Sequence, residues 1–166
     1  MTYSVIPPYI LRNIIDHCSG APQESARRTL THVQQLMAEH NHKATSAATA
    51  QPGSVLRAIF DAENTQNLPG TLIRDEGQPG KGDIAAEEAW NYLGITYDFY
   101  WQIFKRNSLD NQGLKLDGTV HYGKEYQHAF WNGQQMGFGD GAGEGFNRFT
   151  IALDVVAQEL THGVTA

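Results

Sequence analysis

Apolar side chains return at helical intervals soon after the start of the chain. Ile10, Leu11, Ile14 and Ile15 share one face, and Pro8 stands where a first helical turn tolerates proline. Gly20, Ala21 and Pro22 interrupt the pattern. A second stripe comes next, at Ala26, Leu30, Val33 and Met37, opposite Glu24, Arg27, Arg28, Gln34 and Gln35. Two short helices, each apolar on one side, cannot enclose a core of their own and are predicted to dock on the larger region C-terminal to them. Residues 44–53 carry no large apolar side chain, hold nothing that burial would order, and read as a linker with a processing site.

Beyond residue 53 the period changes. Residues 54–61 read as a strand, 67–70 as a turn and 71–74 as a second strand. Asp83 is the N-cap of a long helix in which Ala86, Trp90, Leu93, Tyr97, Tyr100, Trp101 and Phe104 keep helical spacing. A loop at 107–113 ends it. Residues 119–123 and 129–132 read as strands, and 137–143 as a flexible glycine-rich turn. The chain from Leu153 reads as a last helix with Leu153, Val156, Leu160 and Val164 on one stripe. Strands first and helices after predict an α+β fold.

Composition narrows the function classes. The 166 residues are 40% hydrophobic and 18% charged, enough to bury a core, and their net charge of −6 argues against a general nucleic-acid binder. The acidic excess lies in residues 51–166, with 8 basic against 15 acidic side chains, while residues 1–50 hold 4 and 3. No apolar run is long enough for a membrane helix, so neither nucleic acid nor membrane is an expected partner. The first residues lack the basic and apolar regions of a secretory signal. Cytoplasmic synthesis is therefore the expectation, and export would need another route. The single cysteine, Cys18, excludes an internal disulfide and reads as a small packing residue rather than a zinc cap.

The candidate chemistry sits in the last helix, at Gln158, Glu159, Leu160, Thr161 and His162. Positions four apart lie one turn apart on a helix face. In the H-E-x-x-H motif those positions are two histidines on one zinc ion, with the glutamate as general base. Here the first histidine is Gln158, and Glu and His at such spacing also occur on solvated faces.

Context gives the motif its meaning. Phe130, Trp131, Asn132 and Gly133, then Gly139, Asp140 and Gly141, then Asp154, Val155 and Val156, and finally residues 159–165 succeed one another in an order that closely resembles the thermolysin-like zinc metallopeptidases. Residues 92–100 and 120–122 extend the resemblance. Residues 1–50, with Ile6, Pro7, Pro8, Tyr9, Ile10 and Leu11, are similar to the short propeptide of the protealysin-like branch of that family. The resemblance implies a propeptide at 1–43, a linker at 44–53 and a thermolysin-like N-terminal domain at 54–166, built of mostly antiparallel strands and a long helix.

It also implies roles. Glu159 matches the base that activates a zinc-bound water, and His162 the second zinc histidine. The segment of His128, Ala129, Phe130, Trp131 and Asn132 matches the edge strand that pairs with an extended peptide or protein substrate, a form of β-augmentation. Asp154 matches a calcium-ligand position, although it could equally cap its helix. Ile6, Pro7, Pro8 and Tyr9 match the inhibitory segment through which the propeptide becomes a partner of the cleft.

Three departures limit that reading. Gln158 offers a neutral amide in place of an imidazole. His128 stands where the family usually has an asparagine, and Ala142 where an aspartate is common. The family's third zinc ligand and its intermediate-stabilising histidine belong to a C-terminal helical domain that is not in these 166 residues, so that missing half is an expected partner. Each zinc ligand is worth about 3 kcal/mol, so losing two weakens binding by about four orders of magnitude. Zinc is thus expected to be weak or absent, calcium doubtful, and the chain an inactive metalloendopeptidase precursor. The alternative is a non-catalytic pseudopeptidase fragment that binds peptides or a cognate peptidase.

Overall fold

The computed structural model describes residues 6–38, 49–143 and 146–165. Four helices and five strands succeed one another in the order α1 (Pro8–His17), α2 (Ala21–Ala38), β1 (Arg57–Asp61), β2 (Thr71–Asp75), α3 (Ile84–Phe104), β3 (Leu116–Val120), β4 (Ala129–Trp131), β5 (Met136–Phe138) and α4 (Leu153–Thr165). The α+β expectation holds, with all four helices where periodicity puts them.

The sheet differs from the expected one. Its order is β2-β1-β3-β5-β4, and β1 pairs antiparallel with β2 but parallel with β3. β3 in turn is parallel to β5, and only the β4–β5 edge is antiparallel again. The mixed arrangement has a direct cause. α3 lies between β2 and β3 in the chain and carries it back across the sheet, which is the crossover that parallel neighbours require. Residues 137–143 are likewise not all turn, because Gly137 and Phe138 lie in β5 and are buried. Gly137 sits opposite Phe130, where a Cβ would come within 2.3 Å of the Phe130 ring. Glycine is there to let the ring lie flat on the strand. β3 ends at Val120, before the expected 123, because His121 takes a left-handed backbone with φ 52°.

Asp83 caps α3 as expected, its carboxylate accepting from the Ala86 N–H at 2.8 Å. Ala85, Ala86, Ala89, Trp90, Leu93 and Tyr97 bury one face of this helix against Ile59, Leu116 and Val120 of the sheet. Trp90 is held between the guanidinium groups of Arg57 and Arg74, each 4.0 Å from a ring centroid. The last turns of α3 run past the sheet, so Phe104, expected on the buried stripe, is exposed along with Phe99 and Ile103. α4 buries Val156 and Leu160 but leaves Leu153 exposed, and the Tyr100 hydroxyl bonds Thr161 Oγ1 at 2.8 Å to join α3 to α4.

α1 and α2 do not stand alone. Leu11 and Ala26 are fully buried, and Ile6 joins the same cluster as Ile59 and Leu93. Cys18 caps α1 and is exposed, so the packing role expected for it is not observed. Residues 44–48 of the expected linker lie outside the described residues. Thr49 bridges Leu114, and the Ala50 N–H donates to the Gly113 carbonyl at 2.7 Å, so the segment from 49 onward is tied to the protein.

Candidate functional site

α4 crosses beneath β4, and the two bring most of the expected site residues together. Close passage depends on Gly163, where a Cβ would meet Leu109 at 2.6 Å and the Trp131 ring at 3.2 Å. Glu159 points inward and is 2% exposed, while Gln158, one residue earlier, faces solvent. His162 is half-buried one turn further on. Burial pushes the Glu159 carboxyl up to about 8, against the opposing pull of a Trp131 backbone hydrogen bond. Its Oε1 meets no hydrogen-bond partner among the described residues.

His128 lies at the start of β4 and is also buried. Desolvation, reinforced by the neighbouring His32 and His162, pushes it down to about 3, so it is neutral at physiological pH. Burial lowers His162 as well. Ala129 and Phe130 are buried, and Trp131 is partly so. Asn132 serves the fold: its Oδ1 accepts from the backbone N–H groups of Gln134 and Gln135, both at 2.9 Å, and closes the β4–β5 turn. Asp154 is exposed at the start of α4 and accepts from the N–H of its neighbour Val155 at 3.0 Å. No group of three or more His, Cys, Asp or Glu side chains able to hold a metal occurs among the described residues.

α4 offers one imidazole, at His162, and a solvent-facing amide at Gln158, where a tetrahedral site draws on imidazole, thiolate or carboxylate. What the arrangement does provide is a buried acid, Glu159, whose carboxyl meets the backbone of Trp131 on the edge strand, and a buried neutral imidazole, His128, at the start of that strand.

Over this site lies α2, a contact that local sequence signals do not reveal in detail. The Gln127 N–H donates to Thr29 Oγ1 at 3.0 Å, and Gln127 Nε2 donates to Ser25 Oγ at 3.1 Å. Ser25 Oγ donates to the Glu125 carbonyl, and Arg28 pairs with the Glu125 carboxylate at 3.3 Å. His32 reaches the hydroxyls of Tyr126 and Tyr122. Of the expected inhibitory segment, Ile6 is buried, Pro7 caps α1, Pro8 begins it, and Tyr9 is 68% exposed.

A second cluster was missed by sequence reasoning altogether. His121 lies between Asp140 at 2.8 Å and Asp83 at 3.1 Å, and its imidazole is pushed up to about 9, chiefly by the Asp140 hydrogen bond. Asp140 belongs to the glycine-rich run at 137–143, yet nothing in the chain order ties it to Asp83.

Comparison with known proteins bears on this geometry. Residues 23–166 match the family described as thermolysin metallopeptidase, catalytic domain. The chain is 60% identical over 162 residues to an extracellular metalloprotease of Pectobacterium carotovorum subsp. carotovorum, covering 98% of this chain and 47% of that protein. It is 48% identical over 165 residues to Protease PrtS of Photorhabdus sp. (strain Az29), covering 96% and 44%. A solved precursor of protealysin, a metalloproteinase from Serratia proteamaculans, superposes with a TM-score of 0.86 at 58% identity over 98% of this chain and 46% of that one. The chain thus spans about half the length of the relatives it matches.

Proposed function

We propose, from the premise that this chain belongs to the thermolysin metallopeptidase family, that it is the prosegment and N-terminal catalytic region of a zinc metalloendopeptidase precursor, held in an inert form. Residues 1–43 act as the prosegment, 44–53 as the processing linker and 54–166 as the catalytic region. The observation that carries the reading is the seat of α2 on residues 125–127, next to the β4 edge to which a substrate backbone would pair.

One feature of the chain opposes catalysis: Gln158 gives no imidazole to a metal. Phe130 and Trp131 then serve to position an extended peptide, and His128 lies beneath that strand as a neutral packing group. Calcium at Asp154 would need carboxylates that the described residues do not supply.

A second reading takes the solvent-facing amide of Gln158 as a settled loss, which makes the protein a peptide-binding module. A chimera joining this chain to the C-terminal half of the Pectobacterium protein, assayed with a fluorogenic peptide, separates the two. Zinc-dependent hydrolysis on Gln158→His, abolished by Glu159→Gln, supports the precursor. Peptide binding without hydrolysis in every variant supports the module.

A further inference from the structure

Residues 49–53 read as linker along the chain, yet in the fold they form a docked strand. Thr49 makes an antiparallel bridge with Leu114, and the Ala50 N–H donates to the Gly113 carbonyl at 2.7 Å. Asn107 Nδ2 donates to the Ala50 carbonyl at 3.4 Å. A turn closes directly behind, where the Ser54 N–H donates to the Gln51 carbonyl at 3.0 Å. Pro52 and then Gly53, with φ 83°, supply the two central positions of a type II turn. Gly53 lies on the Trp101 indole, which a Cβ there would meet at 3.1 Å.

The receiving loop is shaped for this strand. Gly113 has φ 89°, and a Cβ on it would fall 2.3 Å from the Ala50 carbonyl oxygen. Glycine is what lets the two backbones approach. Asn107 is fixed by other partners. The Tyr97 hydroxyl donates to its Oδ1 at 2.7 Å, and its own N–H donates to Asn111 Oδ1 at 3.0 Å. Its amide nitrogen is then the group aimed at Ala50. Ser108 and Asn111 hold left-handed backbone, with φ 67° and 61°, a conformation that persists where the surroundings enforce it.

The same loop reaches α4. Leu109 is buried, and a Cβ on Gly163 would meet its side chain at 2.6 Å, beside the Trp131 ring at 3.2 Å. One short loop thus touches the docked strand at Gly113 and α4 at Leu109.

We propose that the loop of 107–114, with Trp101, is a docking site for an extended backbone that ends in a Pro-Gly turn. Thr49–Gly53 fills it in cis, and this occupancy holds Leu109 against α4. These residues are then the N-terminal anchor of the region that follows, and proteolysis that removes the prosegment leaves them in place. That consequence rests on the precursor reading, whereas the docking does not. The turn is exposed, which by accessibility alone would invite nicking. A protease, however, takes an extended backbone, so the strand must first leave Gly113, and cleavage follows the fraction that has done so.

Ala50→Pro deletes the donor to Gly113 and leaves the receiving loop unaltered. Hydrogen exchange of the intact chain should show protection lowered roughly fivefold or more in 107–114 and in α4, with α1 and α2 unchanged. Ala50→Ser keeps the N–H and should keep wild-type protection throughout. Proteinase K, read by intact mass, should cut within 49–53 roughly fivefold faster in Ala50→Pro than in the wild type. Wild-type protection of α4 in Ala50→Pro, or equal cutting of the two proteins within 49–53, overturns the proposal. Should Ala50→Pro also unprotect α1 and α2, Trp101→Leu replaces it. That variant removes the indole beneath Gly53 and should speed cutting within 49–53, and a wild-type rate there overturns the proposal as well.

Discussion

His121 donates from Nε2 to the carboxylate of Asp83, 3.1 Å away, and Asp83 is the residue whose other oxygen caps α3. Through Nδ1 the same imidazole holds Asp140 at 2.8 Å. One cation thus ties the end of β3 to the start of the long helix and to the glycine-rich turn that precedes α4. The left-handed backbone at His121 is what turns its side chain out of the strand direction.

This cluster gives stability a defined pH window. The folded His121 is raised to about 9 from 6.5, so its contribution is complete below about 6.5 and is lost as pH rises through about 9. Asp83 is lowered, so its share is present above its ordinary value of 3.8 and lost in acid. With the partners partly exposed, the His121 contribution is about 1–2 kcal/mol. Urea unfolding of the wild type should show it, and His121→Gln should remove most of the loss between pH 6.5 and 9.

Glu159 also holds its proton more tightly in the folded chain, through burial rather than pairing. Its carboxyl is raised from 4.5 to about 8, so the folded form binds a proton that the unfolded form has released, and stability declines as pH rises between those values. Glu159→Gln keeps the shape and removes the penalty. The variant should be more stable than wild type by about 2–4 kcal/mol near pH 8 and indistinguishable near pH 4.5. A wild-type pH profile in the variant would place the carboxyl outside the buried site.

Gln158→His tests the metal face of α4. With imidazoles at 158 and 162, one turn apart, zinc affinity should rise about a hundredfold over the present chain, in line with about 3 kcal/mol per ligand. Competition against a chromophoric chelator measures it, and His162→Ala in the same background should cancel the gain.

Gly137→Ala tests the packing of β4 on β5. The added Cβ falls 2.3 Å from the Phe130 ring, which Tyr122 and His32 already flank at 4.9 and 5.1 Å. The ring has little room to retreat, so the variant should lose about 1–3 kcal/mol in denaturant unfolding, with added mobility in α2.

Much of this protein is legible along the chain because it depends on neighbours in sequence. The apolar period of 10–15, 26–37 and 86–101 sets three helices, and the cap at Asp83 arises from the preference of a short carboxylate for free N–H groups. The order of short motifs from Phe130 to His162 likewise leads to the family match. Tertiary structure decides whatever depends on contacts between distant segments. Parallel pairing of β1 with β3 arises from the α3 crossover, and β5 is a strand only because Phe130 and β3 cover its glycine. His32 and Tyr126 are 94 positions apart, and no local pattern marks either as the other's partner. Burial of Glu159 and His128 has the same origin. Their environment is made by β4, α4 and α2 together, and a side chain's charge state depends on the medium around it rather than on its place in the sequence.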